Sequence, residues 1–438
     1  MDIGPKYYRI KGGIRLGGEI KIAGAKNALT KQLVASLLTT EPCVFTNVPR
    51  ITEIDKVLEM LGEVGSNYGW LNEHTLRIET PKILNAKIDQ KFQRYNRIPI
   101  LLLGPLLHRA GTATVPIPRG CKIGSRPVDF HIAALELMGA KINSTDLYYQ
   151  ANSVGLKGTD ITLPYPSVGA TENIILSSVL AKGKTTIRNA AIEPEILDTI
   201  SLLRKMGANI AKIGWRCIVI KGVKNLQGTN HHTISDRIEA ASFATLALAT
   251  NGQITVHGVA SEHLTTFLNA FSKVGGDFTV RGAKLTFFRK IGHMNPINIE
   301  TGVHPGFMTD WQQPFVVMLT QVKGTSVVHE TVYEKRFDYT KILNSMGAKI
   351  DLSKLCFGEP CRFNGQNHLH SCVISGPTRL LATNIEMPDL RAGFAHIIAA
   401  LIAEGTSNIY GIDQLERGYA DVPEKLKSIG ASIEVINP

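Results

Sequence analysis

Apolar positions along the chain recur in a fixed order: a helical period apolar nearly all round, a short β-rich stretch, then a helical period with one apolar stripe. The first kind is seen in "NIILSSVLAKG", "FVVMLTQVKG" and "FAHIIAALIAEG". A helix without a polar face belongs inside a structure, with other layers packed around it. The second kind ends in a small-residue turn, as in "EMLGEVGS", "LELMGAK", "LLRKMGAN", "AFSKVGGD", "ILNSMGAK" and "KLKSIGAS". The turn glycines Gly65, Gly139, Gly207, Gly275, Gly347 and Gly430 recur 68 to 83 residues apart. Each stands where a left-handed C-terminal cap is predicted. A second glycine (Gly111, Gly183, Gly252, Gly324, Gly405) opens the β-rich stretch in five repeats, and "EPCVFTNV" stands at that place in the first. Six repeats of an apolar helix, a strand, an amphipathic helix and then short strands are therefore expected.

The two ends of the chain are complementary. The last repeat stops at "SIEVINP" without its trailing strands, and the chain opens on strands of no repeat, "YYRIKGGIRLGGEIKI". The simplest closure lets the N-terminal strands complete the C-terminal repeat. Six repeats then form two groups of three, with a crossing near Gly228–Arg237. The expected fold is α/β, with two groups of three units each closing on itself around internal helices. Residues 1–24 and 235–438 form one predicted domain and 25–234 the other.

Composition agrees with this and narrows the function. A chain of 438 residues exceeds one compact core. Its best apolar runs, "IPILLLGPLL" and "AHIIAALIA", have half of the roughly 20 residues a spanning helix needs, so no membrane partner is expected. The opening "MDIGPKYYRIKGG" lacks the apolar core of a signal peptide, and six cysteines then suggest free thiols in a reducing cytoplasm. The net charge of +11 points to a polyanion or a small anionic ligand. The cations are scattered and few aromatics interleave with them, which disfavours nucleic acid.

Chemistry is expected where the repeats differ. From strand glycine to turn glycine the second repeat runs 28 residues, against 23 to 25 in the four that follow. Its extra length is "VPIPRGCKIGSRPVDFH", Val115–His131. Surface-loop growth would account for the length alone. Cys121 within it lies among Arg119, Lys122 and Arg126, which would lower a thiol pKa from roughly 8.5. The apolar helices open on Lys26, Arg97 and Arg391, and one opens on Asp310, with Gly169 and Ile238 at the corresponding places. Unpaired N–H groups at a helix start attract anions, so cations added there point to a strongly anionic ligand. Asp310 also fits a plain N-cap. Arg50, Arg336 and Arg417 lie between strand and helix, where a solvated arginine is the ordinary expectation. Cys356, Cys361, His368, His370 and Cys372 lie within seventeen residues, but their spacing matches no usual zinc pattern and the segment is expected to be strand.

The motifs "GAKNA", "RGCKIGSRPVDFH", "PSVGATENI", "AAIEPEI", "SDRIEAASF", "TDWQQPF", "ETVYEKRF", "PDLRAG" and "ERGYADVPEKLKSIGA", taken in order, span essentially the whole chain. In them the sequence resembles the UDP-N-acetylglucosamine 1-carboxyvinyltransferases, the enolpyruvyl transferases that open bacterial peptidoglycan synthesis. The resemblance implies a two-domain inside-out α/β barrel, with three βαβαββ-like repeats per domain, internal helices, a cleft between the domains, and N-terminal strands in the C-terminal domain. A monomeric cytoplasmic enzyme is expected. It implies transfer of the enolpyruvyl group of phosphoenolpyruvate to the 3′-hydroxyl of UDP-N-acetylglucosamine, with no metal or organic cofactor. Cys121 matches the proton donor and Asp310 the group that binds and deprotonates the sugar hydroxyl. Lys26 and Arg417 match further catalytic cations, and Lys26 with Asn27 matches the phosphoenolpyruvate site. Arg97, Arg126, Pro127, Val128, Asp129, Phe130, Tyr165, Pro166, Ser167, Val168, Gly169, Asp310 and Val332 match positions contacting the nucleotide sugar. Arg336 and Arg391 match the remaining anion-binding cations. Arg119, before Gly120-Cys121, stands where a glycine is common. Two other readings stay open: an enzyme like 5-enolpyruvylshikimate-3-phosphate synthase, with the same donor, and a paralogue that binds the nucleotide sugar without turnover.

Overall fold

In a computed structural model, residues 6–118, 124, 127–358, 361–387 and 389–437 are described. Cys121, Arg126, Arg119 and Lys122 lie outside them. The six turn glycines all take the left-handed backbone that suits glycine, with φ between 90° and 120°. Each follows the amphipathic helix of its repeat, from Thr52–Val64 in the first to Val422–Ser428 in the last. The fourth repeat shows how specific the strand glycine is. There Asn251 takes the positive φ, while Gly252 stays because an added Cβ would lie 2.0 Å from the Leu16 carbonyl oxygen.

Each repeat builds a small sheet of one pattern. In the third, Asp160–Thr162 runs parallel to Lys184–Arg188, which pairs antiparallel with Cys217–Lys221, which in turn pairs with Asn209–Lys212. Five such four-stranded sheets occur among the described residues, and a sixth has three strands with an isolated bridge, Lys87 to Thr114, in the parallel place. The parallel edge of the first repeat is supplied from far along the chain: Asn230–His232 pairs with Cys43–Thr46. The N-terminal strands separate. Tyr7–Lys11 sits between Thr406–Tyr410 and Ser432–Ile436 in the last repeat, whereas Gly17–Lys21 takes the parallel edge beside Gln253–His257 in the fourth. The expected closure thus uses one strand in the last repeat and the other two repeats earlier.

The chain divides into two compact bodies. The terminal body contains Met1–Ala23 and Ser235–Pro438, and the central body Gly24–Cys121 and Arg126–Ile234. Within the terminal body the helices Arg237–Ala249, Gln312–Leu319 and Leu390–Ile402 pack on one another and are buried along nearly their whole length. Phe243 meets Phe394 edge-on at 5.1 Å between two of them. A second aromatic group, Phe267, Phe307, Trp311 and Phe315, fills the space beside Gln312–Leu319. One buried ion pair crosses layers: Lys425 Nζ lies 2.5 Å from Glu239 Oε1, while Glu239 Oε2 accepts from the Ala23 N–H at 2.9 Å. No helix among the described residues is long and apolar enough to cross a membrane.

In the central body the corresponding helices are Lys26–Ala35, Leu103–Ala110 and Val168–Ser178. The last carries Glu172, buried, with Lys31 Nζ 3.8 Å from Oε1. Burial pushes its carboxyl up to about 7; Lys31 opposes this, and Glu193 and Glu195 reinforce it. Glu172 is therefore protonated in the fold at pH values where an unfolded chain, titrating near 4.5, has already ionised. Its contribution to stability is complete below about 4.5, falls as pH rises towards about 7, and levels off above.

Two measurements follow from this architecture. Ile10, fully buried in the interior strand Tyr7–Lys11, supports the last sheet, and Ile10→Ala should cost about 2–5 kcal/mol in urea denaturation. The neighbouring exposed Arg9→Ala should cost less than about 0.5 kcal/mol, and equal losses would contradict the register. Glu172→Gln should raise stability at pH 8 by on the order of 1–3 kcal/mol while changing it little at pH 4. An unaltered dependence on pH would show that Glu172 is not the titrating group.

Candidate active site

A helix enclosed by apolar neighbours has no flank on which to hold charge, so polar chemistry gathers at its N-terminal end, where unpaired N–H groups remain. In the terminal body three such ends carry charged groups. The tight turn Thr309–Trp311 leads into Gln312–Leu319, and Asp310 projects from it. The N-cap reading of Asp310 does not hold, because its carboxylate goes to two arginines instead. One Oδ accepts from Arg336 Nη2, and the other lies 3.3 Å from Arg391 Nε. Oriented with its oxygen towards Arg336, the Gln313 amide accepts from Nε at 2.6 Å and Nη2 at 3.1 Å, and donates to the Thr309 and Asp310 carbonyls.

Arg336 is 5% exposed, so the solvated-arginine expectation fails there. Arg50 fits that expectation better: it is exposed, donates to the Glu73 carbonyl and stacks on Trp70. Arg391 is buried, which opposes its charge, but Asp310, Tyr419 and Asp236 more than offset this and hold its pKa above the ordinary arginine value. Its Nη1 finds no acceptor among the described residues. The helix that begins beside it is capped after all, since Asp389 accepts from the Arg391 and Ala392 N–H groups. The cation is an addition to that cap rather than a substitute for it. Arg417 is half-buried at the end of Asp413–Glu416 and donates to Gln414 Oε1 at 3.1 Å.

Sequence reasoning passed over several members of this group. Glu330 is fully buried; Thr309 Oγ1 donates to its Oε2 at 2.8 Å, and the Val332 and Tyr333 N–H groups donate to Oε1 at 2.8 and 3.1 Å. Burial raises its pKa, and Arg336 and these hydrogen bonds act against the rise. One carboxylate thus fixes both the Asp310 turn and the backbone of Val332. Arg237, 1% exposed, lies with its guanidinium over the Trp311 ring, and Asp236 caps its helix through the Ile238 and Glu239 N–H groups. Tyr419 stacks on Phe394 and lies under Arg391. The signal available was proximity to quoted motifs: Glu330 opens "ETVYEKRF" and Arg237 lies inside "SDRIEAASF".

In the central body, Lys26 opens its helix with no side-chain cap and is 7% exposed. Its Nζ is 2.6 Å from Glu53 Oε2, in the first turn of Thr52–Val64. Asn27 is half-buried and its carbonyl accepts from Lys31 Nζ. Arg97 precedes the turn Ile98–Leu102 and donates at 3.5 Å to the Pro127 carbonyl. Pro127 is exposed and Val128 buried, and Asp129 and Phe130 open the helix Asp129–Leu137. Tyr165, Pro166 and Ser167 are half-buried and Val168 is exposed; Ser167 Oγ caps Val168–Ser178 through the Ala170 N–H at 3.3 Å. A Cβ on Gly169 would lie 2.9 Å from His131 Nε2, so a larger residue there would push that ring aside where the two helix starts meet. Arg97 and the Pro127–Phe130 segment are thus brought together, as are the latter's helix and Gly169.

Comparison with known proteins fits this picture. Residues 10–426 match the model of the EPSP synthase (3-phosphoshikimate 1-carboxyvinyltransferase) family. The chain is 48% identical to the UDP-N-acetylglucosamine 1-carboxyvinyltransferase of Protochlamydia amoebophila, over 100% of this chain and 95% of that one. It is 45% identical to the protein of that name from Chlamydia trachomatis serovar D, over 97% of each. The UDP-N-acetylglucosamine 1-carboxyvinyltransferase 2 of Carboxydothermus hydrogenoformans is 40% identical, over 98% of this chain and 99% of that one. In fold the chain is similar to the enolpyruvyl transferase NikO from Streptomyces tendae, with TM-score 0.88 and 20% identity over 99% of this chain and all of that one. It is also similar to EPSP synthase from Acinetobacter baumannii, with TM-score 0.73 and 17% identity over 98% of this chain and all of that one. End-to-end identity of this degree, on a six-repeat α/β fold, establishes that the chain belongs to the UDP-N-acetylglucosamine 1-carboxyvinyltransferase family.

Proposed function

We propose that the chain transfers the enolpyruvyl group of phosphoenolpyruvate to the 3′-hydroxyl of UDP-N-acetylglucosamine and releases phosphate, as a monomeric cytoplasmic enzyme of peptidoglycan synthesis. The observation that carries the reading is Asp310, whose two carboxylate oxygens engage two different buried guanidiniums at the start of an internal helix. A carboxylate so held is fixed in direction, which a base for one particular hydroxyl requires. The cations around it suit anionic reactants. Phosphoenolpyruvate brings a phosphate and a carboxylate, and the nucleotide sugar brings a diphosphate.

In the addition step, Asp310 takes the proton of the 3′-hydroxyl as its oxygen bonds to C2 of phosphoenolpyruvate. Cys121 delivers a proton to the methylene carbon C3, giving a tetrahedral ketal, and also forms a covalent bond to the phosphoenolpyruvate carbon in an alternative adduct. In the elimination step, C3 gives a proton back, the C2–O bond to phosphate breaks, and the double bond is restored. Lys26, Arg391 and Arg417 stabilise the phosphate and carboxylate charges as they develop, and Arg336 orients Asp310. Asn27 adds a hydrogen bond to the phosphoenolpyruvate site. Arg97, Arg126, Pro127–Phe130, Tyr165–Gly169 and Val332 contact the nucleotide sugar. The backbone of Val332 is held for this by Glu330. Residues 1–24 with 235–438, and 25–234, act as the two domains.

Phosphate release from phosphoenolpyruvate, measured with UDP-N-acetylglucosamine and separately with shikimate 3-phosphate, tests the assignment. Release is expected with the first acceptor, and release only with the second would overturn it. Asp310→Asn should lower kcat about 10²- to 10⁴-fold with KM for phosphoenolpyruvate changed little, and a kcat near wild type would remove Asp310 from the proton transfer. Cys121→Ser should nearly abolish release, while Cys121→Asp should retain it and lose sensitivity to epoxide alkylators such as fosfomycin.

A further inference from the structure

The strands Lys349–Ser353 and Ser371–Gly376 form a hairpin whose connection, residues 354–370, contains no helix or strand among its described residues. That is long for an unstructured connection, and beyond Phe363 and His370 it buries few side chains. It brings Cys356, Cys361 and His370 together with a residue the sequence gave no reason to include, His329, at the end of the strand Gly324–His329. One ligand atom from each of the four lies within 4.8 Å of all the others. The earlier grouping needs correction in its other two members. Cys372 is buried in the core, and His368 accepts at its carbonyl from His370 Nδ1 and packs its ring against Phe363.

We propose that His329, Cys356, Cys361 and His370 bind one zinc ion in a tetrahedral Cys2His2 site. The donor set is one that zinc uses in closed structural sites, and tetrahedral bonds of about 2.3 Å to sulfur put ligand atoms about 3.5–3.8 Å apart. Cys356 Sγ and His370 Nε2 are already at 3.3 Å. Both rings are oriented from behind. His329 Nδ1 donates to Glu300 Oε2 at 2.9 Å and His370 Nδ1 donates to the His368 carbonyl at 2.8 Å. Each ring therefore keeps its Nε2 lone pair for the metal, the arrangement that outer partners of ligating histidines impose. His329 is 1% exposed, and its Nε2 is buried with no hydrogen-bond partner among the described residues. Such an orphaned acceptor is costly unless something fills the place. On the sulfur side, the Phe363 N–H donates to Cys361 Sγ at 3.4 Å. Glu300 is itself closely framed, since a Cβ on Gly358 would lie 1.8 Å from its Oε2.

Binding releases the two thiol protons and leaves a neutral four-ligand site without an open position for water, so the ion is structural and takes no part in the transfer reaction. It ties the 354–370 connection to the strand whose next residue is Glu330, the carboxylate that holds Thr309 and Val332.

The test is metal analysis of the full chain purified under reducing conditions, supplied with zinc sulfate and then dialysed against metal-free buffer. About one zinc per chain is expected, and binding of cobalt(II) should give the intense visible bands of tetrahedral coordination together with sulfur-to-cobalt charge transfer. Cys356→Ser with Cys361→Ser should lose the zinc and the charge-transfer band, whereas Cys43→Ser, a buried thiol of the central body, should keep both. His329→Gln should weaken zinc retention at least about tenfold in competition with a colorimetric chelator and keep the charge-transfer band. The wild-type melting temperature should fall on treatment with a zinc chelator. Less than about a tenth of an equivalent of zinc in the wild-type chain, or full retention in the double cysteine variant, would overturn the proposal.

Discussion

The interaction on which the structure depends is the enclosure of helices that have no polar face. Arg237–Ala249, Gln312–Leu319 and Leu390–Ile402 can exist only if other elements surround them, and the small sheets of the repeats supply that surround. Once a helix is enclosed, its flanks are closed to chemistry and its N-terminal end is what remains. Asp236 and Arg237, the Thr309–Gln313 turn, and Asp389 and Arg391 all occupy such ends in the terminal body, as Lys26 and Ser167–Gly169 do in the central one. The concentration of charge follows from the packing rather than accompanying it by chance.

That charge is held by pairing. Asp310 offsets Arg336 and Arg391, Glu53 offsets Lys26, and Lys425 offsets Glu239. A buried charge without its partner is costly, so each pair constrains two elements at once. Arg391 differs in keeping one guanidinium nitrogen that no described residue engages. Glu330 plays the opposite part, spending both oxygens on local backbone and a threonine, and so works as a brace.

Much of this was legible because it is local. The turn glycines mark helix ends by a backbone geometry that other residues avoid, and the all-apolar helices announce their own burial. Pairings between distant strands were only partly readable: nothing in "GGEIK" says that it joins the fourth repeat rather than the last. The same holds for side chains. Arg336 reads as an ordinary surface cation until Asp310 and Gln313, more than twenty residues away, are brought to it. His329 has no cysteine near it in sequence, and only the antiparallel register of Gly324–His329 against Ser371–Gly376 carries it to His370.

The strand Tyr7–Lys11 has a consequence for synthesis on the ribosome. It emerges roughly 400 residues ahead of its two partners, Thr406–Tyr410 and Ser432–Ile436. At about 5–20 residues per second the interval is on the order of 20–80 s. Through it, the first strand has both edges open and its apolar residues Tyr8 and Ile10 uncovered. The central body, from Gly24 to Ile234, meets no such delay, because Asn230–His232 closes its first sheet before Ser235–Pro438 of the terminal body is made. The central body can therefore close first, while Tyr7–Lys11 waits for its partners.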